Sequence, residues 1–142
     1  MTKNLPLPVP VEMLLPHRKP MCLVDRLVEF TDGSGVVEAV VGPEGPLIGE
    51  DGSLDRIAFI ELIAQSFAAV RGYSDLLNGK EVKKGFLVAA KEIRIKKAAA
   101  TGDVLRISIT TTGEFGDFTL GDGVVAKGGE VLASGSITVW IP

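Results

Sequence analysis

Residues 55–77 suit one long helix whose apolar side chains are not confined to a stripe: Ile57, Phe59, Ile60, Leu62, Ile63, Ala64, Phe67, Ala68 and Val70 point in nearly every direction. A helix apolar on all sides has to be wrapped by other structure, with Ile60, Ile63, Ala64 and Phe67 deep inside. It is interrupted by Glu61, Gln65 and Ser66 and falls short of the roughly 20 apolar residues that a membrane span requires. Ser53 or Asp55 caps its start, and Asn78-Gly79 ends it, where glycine makes a left-handed C-terminal cap cheap.

The rest of the chain supplies the wrapping. Residues 22–30 and 36–41 are rich in β-favouring types and flank the turn cluster Thr31-Asp32-Gly33-Ser34-Gly35, so they read as a hairpin. After the helix, four strands are expected at 86–95, 104–112, 115–127 and 130–141, divided by Gly102-Asp103, Gly113 and Gly128-Gly129. Leu105, Ile107 and Ile109 interleave with Arg106, Ser108 and Thr110, the period of a sheet with one buried face. Upstream, residues 10–15 make a short helical turn that Pro16 and Pro20 stop, which leaves His17 in an ordered loop. With no repeat, low-complexity tract or dividing linker, the expectation is one α+β domain over residues 1–142, an antiparallel sheet curled around one central helix. A wrapped sheet leaves a free edge strand, best protected by pairing with a second subunit, so a dimer is expected.

Net charge is −3 and the pI about 5.2, no basis for nucleic-acid binding. Locally, Lys80, Lys83, Lys84, Lys91, Arg94, Lys96 and Lys97 face only Glu81 and Glu92 in that stretch. This is a solvated strand face or a surface for an acidic partner. Cys22 is the sole cysteine and no leader pattern opens the chain, so a reducing cytoplasm is the expected setting, with no membrane attachment. One cysteine and one histidine cannot build an ordinary zinc cluster, and neither a Walker loop nor a dinucleotide fingerprint is present; no metal and no cofactor are expected. Gly113-Glu114-Phe115-Gly116 and Gly121-Asp122-Gly123 read as turns or bulges.

Glu61 is the most informative residue, because a carboxylate within an apolar helix is rarely buried without a partner or a purpose. Gln65 lies one turn later on the same face, where its amide either orients the carboxylate or bonds a ligand. Burial there favours the neutral acid and suits Glu61 to proton donation. His17 is the only histidine, so any neutral-pH imidazole chemistry falls to it; otherwise it bonds backbone and fixes its loop.

Leu15-Pro16-His17-Arg18, then Pro20 and Leu23-Val24-Asp25-Arg26, together with Ile60-Glu61-Leu62-Ile63-Ala64-Gln65 and the stretch from Lys91 to Gly102-Asp103, resemble the β-hydroxyacyl-(acyl carrier protein) dehydratases of fatty acid and polyene synthesis. The resemblance covers most of the chain and implies a hot-dog fold, an antiparallel sheet wrapped around a long helix, paired into a homodimer or a heterodimer with a related subunit. It implies elimination of water from a 3-hydroxyacyl thioester to give a trans-2-enoyl thioester, with Glu61 helping to expel the hydroxyl. The implied partner is an acyl carrier protein bearing a phosphopantetheine-linked acyl chain. In that light Lys83, Lys84 and Arg94 become carrier-docking residues, and Arg18 and Gln65 substrate-binding ones.

The chain departs from that pattern before the helix. The family's usual catalytic histidine belongs to a Gly-His-Phe-Pro motif, and here the region reads Gly49-Glu50-Asp51-Gly52-Ser53-Leu54. The family's Pro-Gly-Val at the helix entrance, whose glycine amide helps hold the thioester carbonyl, is replaced around Arg56-Ile57-Ala58. The nearest likeness is a divergent branch of aryl-polyene-type dehydratases. Three readings follow: a dehydratase with His17 as the base opposite Glu61, a non-catalytic partner of an intact dehydratase, or a thioesterase in which Glu61 activates water.

Overall fold

The computed structural model describes residues 5–142. Strands β1 (Val9–Pro10), β2 (Arg26–Thr31) and β3 (Ser34–Val40) precede helix α1 (Ala58–Leu77). Strands β4 (Phe86–Ile95), β5 (Val104–Phe115), β6 (Phe118–Lys127) and β7 (Glu130–Trp140) follow it. All seven form one antiparallel sheet in the order β1-β2-β3-β5-β6-β7-β4. The strand that leaves the helix therefore crosses to the far edge, where among the described residues it pairs only with β7, while β3 skips it to join β5.

The concave face carries the core. Leu105, Ile107 and Ile109 of β5 are buried, as the alternation requires, and meet Phe59, Ile63 and Phe67 from α1. Gly121 and Gly123, expected as turn residues, instead lie inside β6. A Cβ at Gly121 would stand 2.7 Å from the Phe67 ring, and one at Gly123 would stand 2.5 Å from Ile63. Their missing side chains let the helix lie close against the sheet. Gly113 is likewise no strand end: β5 bulges between Thr111 and Gly113 and continues to Phe115, and the chain reverses at Gly116-Asp117.

The helix starts three residues later than its composition suggests. Asp55 accepts from the Ile57 amide through Oδ1 at 3.0 Å and from the Ala58 amide through its backbone carbonyl at 3.0 Å, holding 55–57 as a turn. At the other end Gly79 takes φ 69° after the C-cap Asn78, the left-handed stop expected there. Wrapping is incomplete: Ile63 and Phe67 are sealed in, but Ile60 and Ala64 are only half-buried and Ile57 is exposed. The expectation of full burial fails for these because the sheet covers one side of the helix and leaves the Glu61 side open. The outer side of β4 is an unpaired edge, blunted by a bulge between Lys91 and Arg94 in which Glu92 has φ 52°.

Candidate active site

Glu61 sits on the open side of α1, and the local fold is arranged to hold it. Gln65, one turn on and only 2% exposed, accepts from the Leu23 amide through Oε1 at 2.8 Å. Its Nε2 donates to the Met21 carbonyl at 2.9 Å and to Glu61 Oε2 at 2.9 Å. A backbone amide can only donate and a carbonyl only accept, so the orientation of the Gln65 amide is fixed and both of its hydrogens are engaged. Gln65 thus ties the segment after His17 to the helix and fixes one carboxylate oxygen. Of the two roles open to it in the sequence, these contacts favour orienting Glu61.

His17 reaches the same place from the other wall. Its loop begins where Leu14 and Leu15 turn back onto Val11, their amides donating to its carbonyl at 2.8 and 3.0 Å. Arg18 then braces the loop, its guanidinium donating to the carbonyls of Leu15 at 2.9 Å, His17 at 2.8 Å and Glu12 at 3.2 Å. This guanidinium is turned toward backbone and is not part of the cavity wall described next.

Between loop and helix lies a cavity of about 490 Å³ that His17, Glu61 and Gln65 line together, all from one chain. Leu14, Leu15, Ala64, Ala68 and Leu87 give it apolar walls. The imidazole Nδ1 of His17 is buried and has no hydrogen-bond partner among the described residues, which is rare for a buried polar atom. A carboxylate held on one oxygen thus lines the same chamber as the His17 ring, two side chains of the kind that carry out paired proton transfers on a bound acyl group.

Lys83 and Lys84 also line this cavity, whereas Arg94 does not. Arg94 pairs with Ser134 and Phe86 with Trp140, six residues apart along β7 and roughly 20 Å at the usual strand rise, so the three cations do not form one cluster. Arg71, absent from the sequence reading, lines the cavity and pairs with Glu114. Its signal was available: Ala64, Ala68 and Arg71 follow helical spacing on the Glu61 side.

The segment 49–54 holds itself closed. The Gly49 amide donates to the Ser53 carbonyl at 2.8 Å, while Asp51 Oδ1 accepts from the Ser53 amide at 3.0 Å and its hydroxyl at 2.6 Å. These bonds hold the Asp51 carboxyl below the usual range. No imidazole is offered there.

The family model of the ApeP-like dehydratases matches residues 9–142. Among curated proteins, the 3-hydroxyacyl-[acyl-carrier-protein] dehydratase FabZ of Staphylococcus saprophyticus is 29% identical over 135 residues, covering 90% of each chain. The FabZ of Clostridium botulinum (strain Loch Maree) is 30% identical over 132 residues, covering 89% of this chain and 90% of its own. Among solved structures, a chain of the dehydratase heterocomplex ApeI:P from Xenorhabdus doucetiae superposes with a TM-score of 0.87 at 25% identity, over 94% of this chain and 91% of that one. A hypothetical thioesterase protein from Streptococcus pneumoniae, solved with coenzyme A, matches with a TM-score of 0.65 at 17% identity over 82% and 84% of the two chains, which shows the hot-dog fold alone. By fold, by sequence and by the family model spanning all but its first residues, this chain belongs to the ApeP-like dehydratases.

Proposed function

We propose that the chain eliminates water from a 3-hydroxyacyl thioester delivered on an acyl carrier protein, with His17 as base and Glu61 as acid. The observation that carries this reading is that both side chains line one cavity, with Gln65 holding the carboxyl. His17 removes the proton from the carbon beside the thioester carbonyl. The freed electron pair forms the carbon–carbon double bond, and the neighbouring hydroxyl departs as water with a proton from Glu61. Return of the proton from imidazole to carboxyl resets the site. Arg18 contributes by bracing the His17 loop; Lys83 and Lys84 face the incoming carrier arm, with Arg94 as a separate, distant contact.

A second reading rests on the self-closed 49–54 turn, which carries no histidine where the family usually places one. In it the chain is the structural partner of an intact dehydratase, paired along the free edge of β4; the solved relative is itself described as a heterocomplex. The same edge serves a homodimer. A cytoplasmic setting suits the carrier-bound substrate, and among the described residues no helix is long and apolar enough to cross a membrane.

The discriminating experiment gives the purified protein a 3-hydroxyacyl carrier thioester, with and without an intact dehydratase, while enoyl product and free thiol are followed separately. Enoyl product from the protein alone supports the proposal. Product only in the mixture supports the partner reading, and released carrier thiol would mark a thioesterase.

A further inference from the structure

Three of the chain's six phenylalanines and its only tryptophan stand in one row on the outside of the sheet. Phe115 is directly opposite Phe118, Phe118 opposite Trp140, and Trp140 opposite Phe86, so β5, β6, β7 and β4 each contribute one ring. Directly opposed residues share a face. Thr119 and Val139, the neighbours of Phe118 and Trp140 along their strands, are buried in the core, which turns the row outward. Phe115 is 68% exposed, Phe86 44%, Phe118 43% and Trp140 38%.

Cross-strand aromatic pairing stabilises a sheet by about 0.2–1 kcal/mol per pair, and the Phe86 and Trp140 rings, 5.8 Å apart, make one such contact. That does not account for Phe115, whose ring gains little cover. A continuous exposed apolar strip of this kind marks an interaction surface, and aromatic side chains are the usual anchors of one. The row is also polarised. At its Phe86 end Lys84 Nζ stands 5.5 Å over the ring, and Lys83 adjoins it. Neither lysine has a carboxylate partner among the described residues. Phe86, Lys83 and Lys84 all line the active-site cavity, so the strip runs from open surface to the cavity wall. Its other end carries Asp117, in the turn between Phe115 and Phe118.

We propose that this aromatic row is the apolar anchor on which the acidic carrier protein docks, its carboxylates meeting Lys83 and Lys84 and its phosphopantetheine arm entering beside Phe86. The proposal rests on the carrier-thioester reading of the same cavity. An anionic lipid surface fits less well, because it would present the same charge along the whole row, whereas the lysines stand only at the Phe86 end and Asp117 at the other. A second copy seated on the row would cover the cavity wall at Phe86 that the substrate has to pass.

The test is binding of the full chain to a purified acyl carrier protein with an unloaded phosphopantetheine arm, measured at low and high salt, so that it does not depend on chemistry. Phe115→Thr and Phe118→Thr should each weaken binding about tenfold, mostly through faster dissociation, with the salt dependence unchanged. Lys83→Glu with Lys84→Glu should slow association and flatten the salt dependence. Unchanged affinity in Phe115→Thr, the variant least able to disturb the fold, would overturn the proposal. So would concentration-dependent self-association that Phe115→Thr abolishes, or binding of the wild-type chain to anionic phosphatidylserine vesicles in place of the carrier. Carrier binding that needs the row, in a protein that forms no enoyl product, would uphold the docking surface while sinking the dehydratase reading.

Discussion

The Gln65 amide donates to the Glu61 carboxyl at 2.9 Å with its other hydrogen and its oxygen committed to the backbone of Met21 and Leu23. The helix carboxyl and the segment after the His17 loop are thereby set by one side chain. Gln65→Leu should leave the Leu23 amide and the Met21 carbonyl without this partner, lowering stability by about 1 kcal/mol or more in urea unfolding. In the enzyme reading it should also cut turnover on the order of a hundredfold while moving KM little, since a misplaced acid costs the chemical step more than binding. A change confined to stability would assign Gln65 to the fold alone.

Gly72 and Gly135 make a paired test of packing. A Cβ at Gly72 would stand 2.2 Å from the Leu14 carbonyl oxygen, a backbone atom at the base of the His17 loop. At Gly135 the nearest atom, also at 2.2 Å, is the far end of the Ile93 side chain, which can rotate away. Gly72→Ala should therefore destabilise by about 1–3 kcal/mol, the usual range for overpacking, and Gly135→Ala by distinctly less. Equal urea midpoints for the two variants would contradict this packing.

Asp103 accepts from the Ala100 amide at 2.9 Å and pairs with Lys127 at 2.8 Å, which holds its carboxyl below the usual range. A carboxyl depressed in the folded state stabilises fully above its unfolded value of ~4, and that contribution disappears as pH falls through the folded value. Asp103→Asn should lower the thermal midpoint at pH 7 and lose less of its stability on acidification below about pH 4 than the parent does. Parallel pH profiles would remove Asp103 from the acid sensitivity.

Burial pushes the Cys22 thiol upward, and Sγ donates to the Val24 carbonyl at 3.4 Å, a bond that only the protonated thiol can make. The thiolate is the reactive form. Iodoacetamide should therefore modify the native protein at pH 8 far more slowly than the urea-unfolded chain. Comparable rates would mean that Cys22 is open to solvent in the native state.

The elements that could be read from sequence are those whose pattern is local. The apolar helix, the strands after it and the Glu61–Gln65 spacing each follow from neighbours within a few residues. What could not be read depends on distant pairing. The sequence places no constraint on β4 crossing to the far side of β7, nor on the two-residue β1 joining β2. Gly121 and Gly123 look like turn residues until Phe67 and Ile63 are seen to need their space. That the Arg18 guanidinium donates to three backbone carbonyls was likewise not legible in the sequence. That His17 and Glu61 line one cavity was required by the proposed mechanism rather than read from any motif.

The most direct test of the account is the elimination rate of the purified chain on a 3-hydroxyacyl pantetheine thioester, followed by the absorbance of the conjugated enoyl product. The wild-type protein should form it unaided, and His17→Ala and Glu61→Gln should each lose at least about a hundredfold in turnover, the lower end of what a general base or acid contributes. Thermal midpoints of both variants should stay near the parent's. Full activity in His17→Ala, or no enoyl product from the wild-type protein until an intact dehydratase is added, would contradict it.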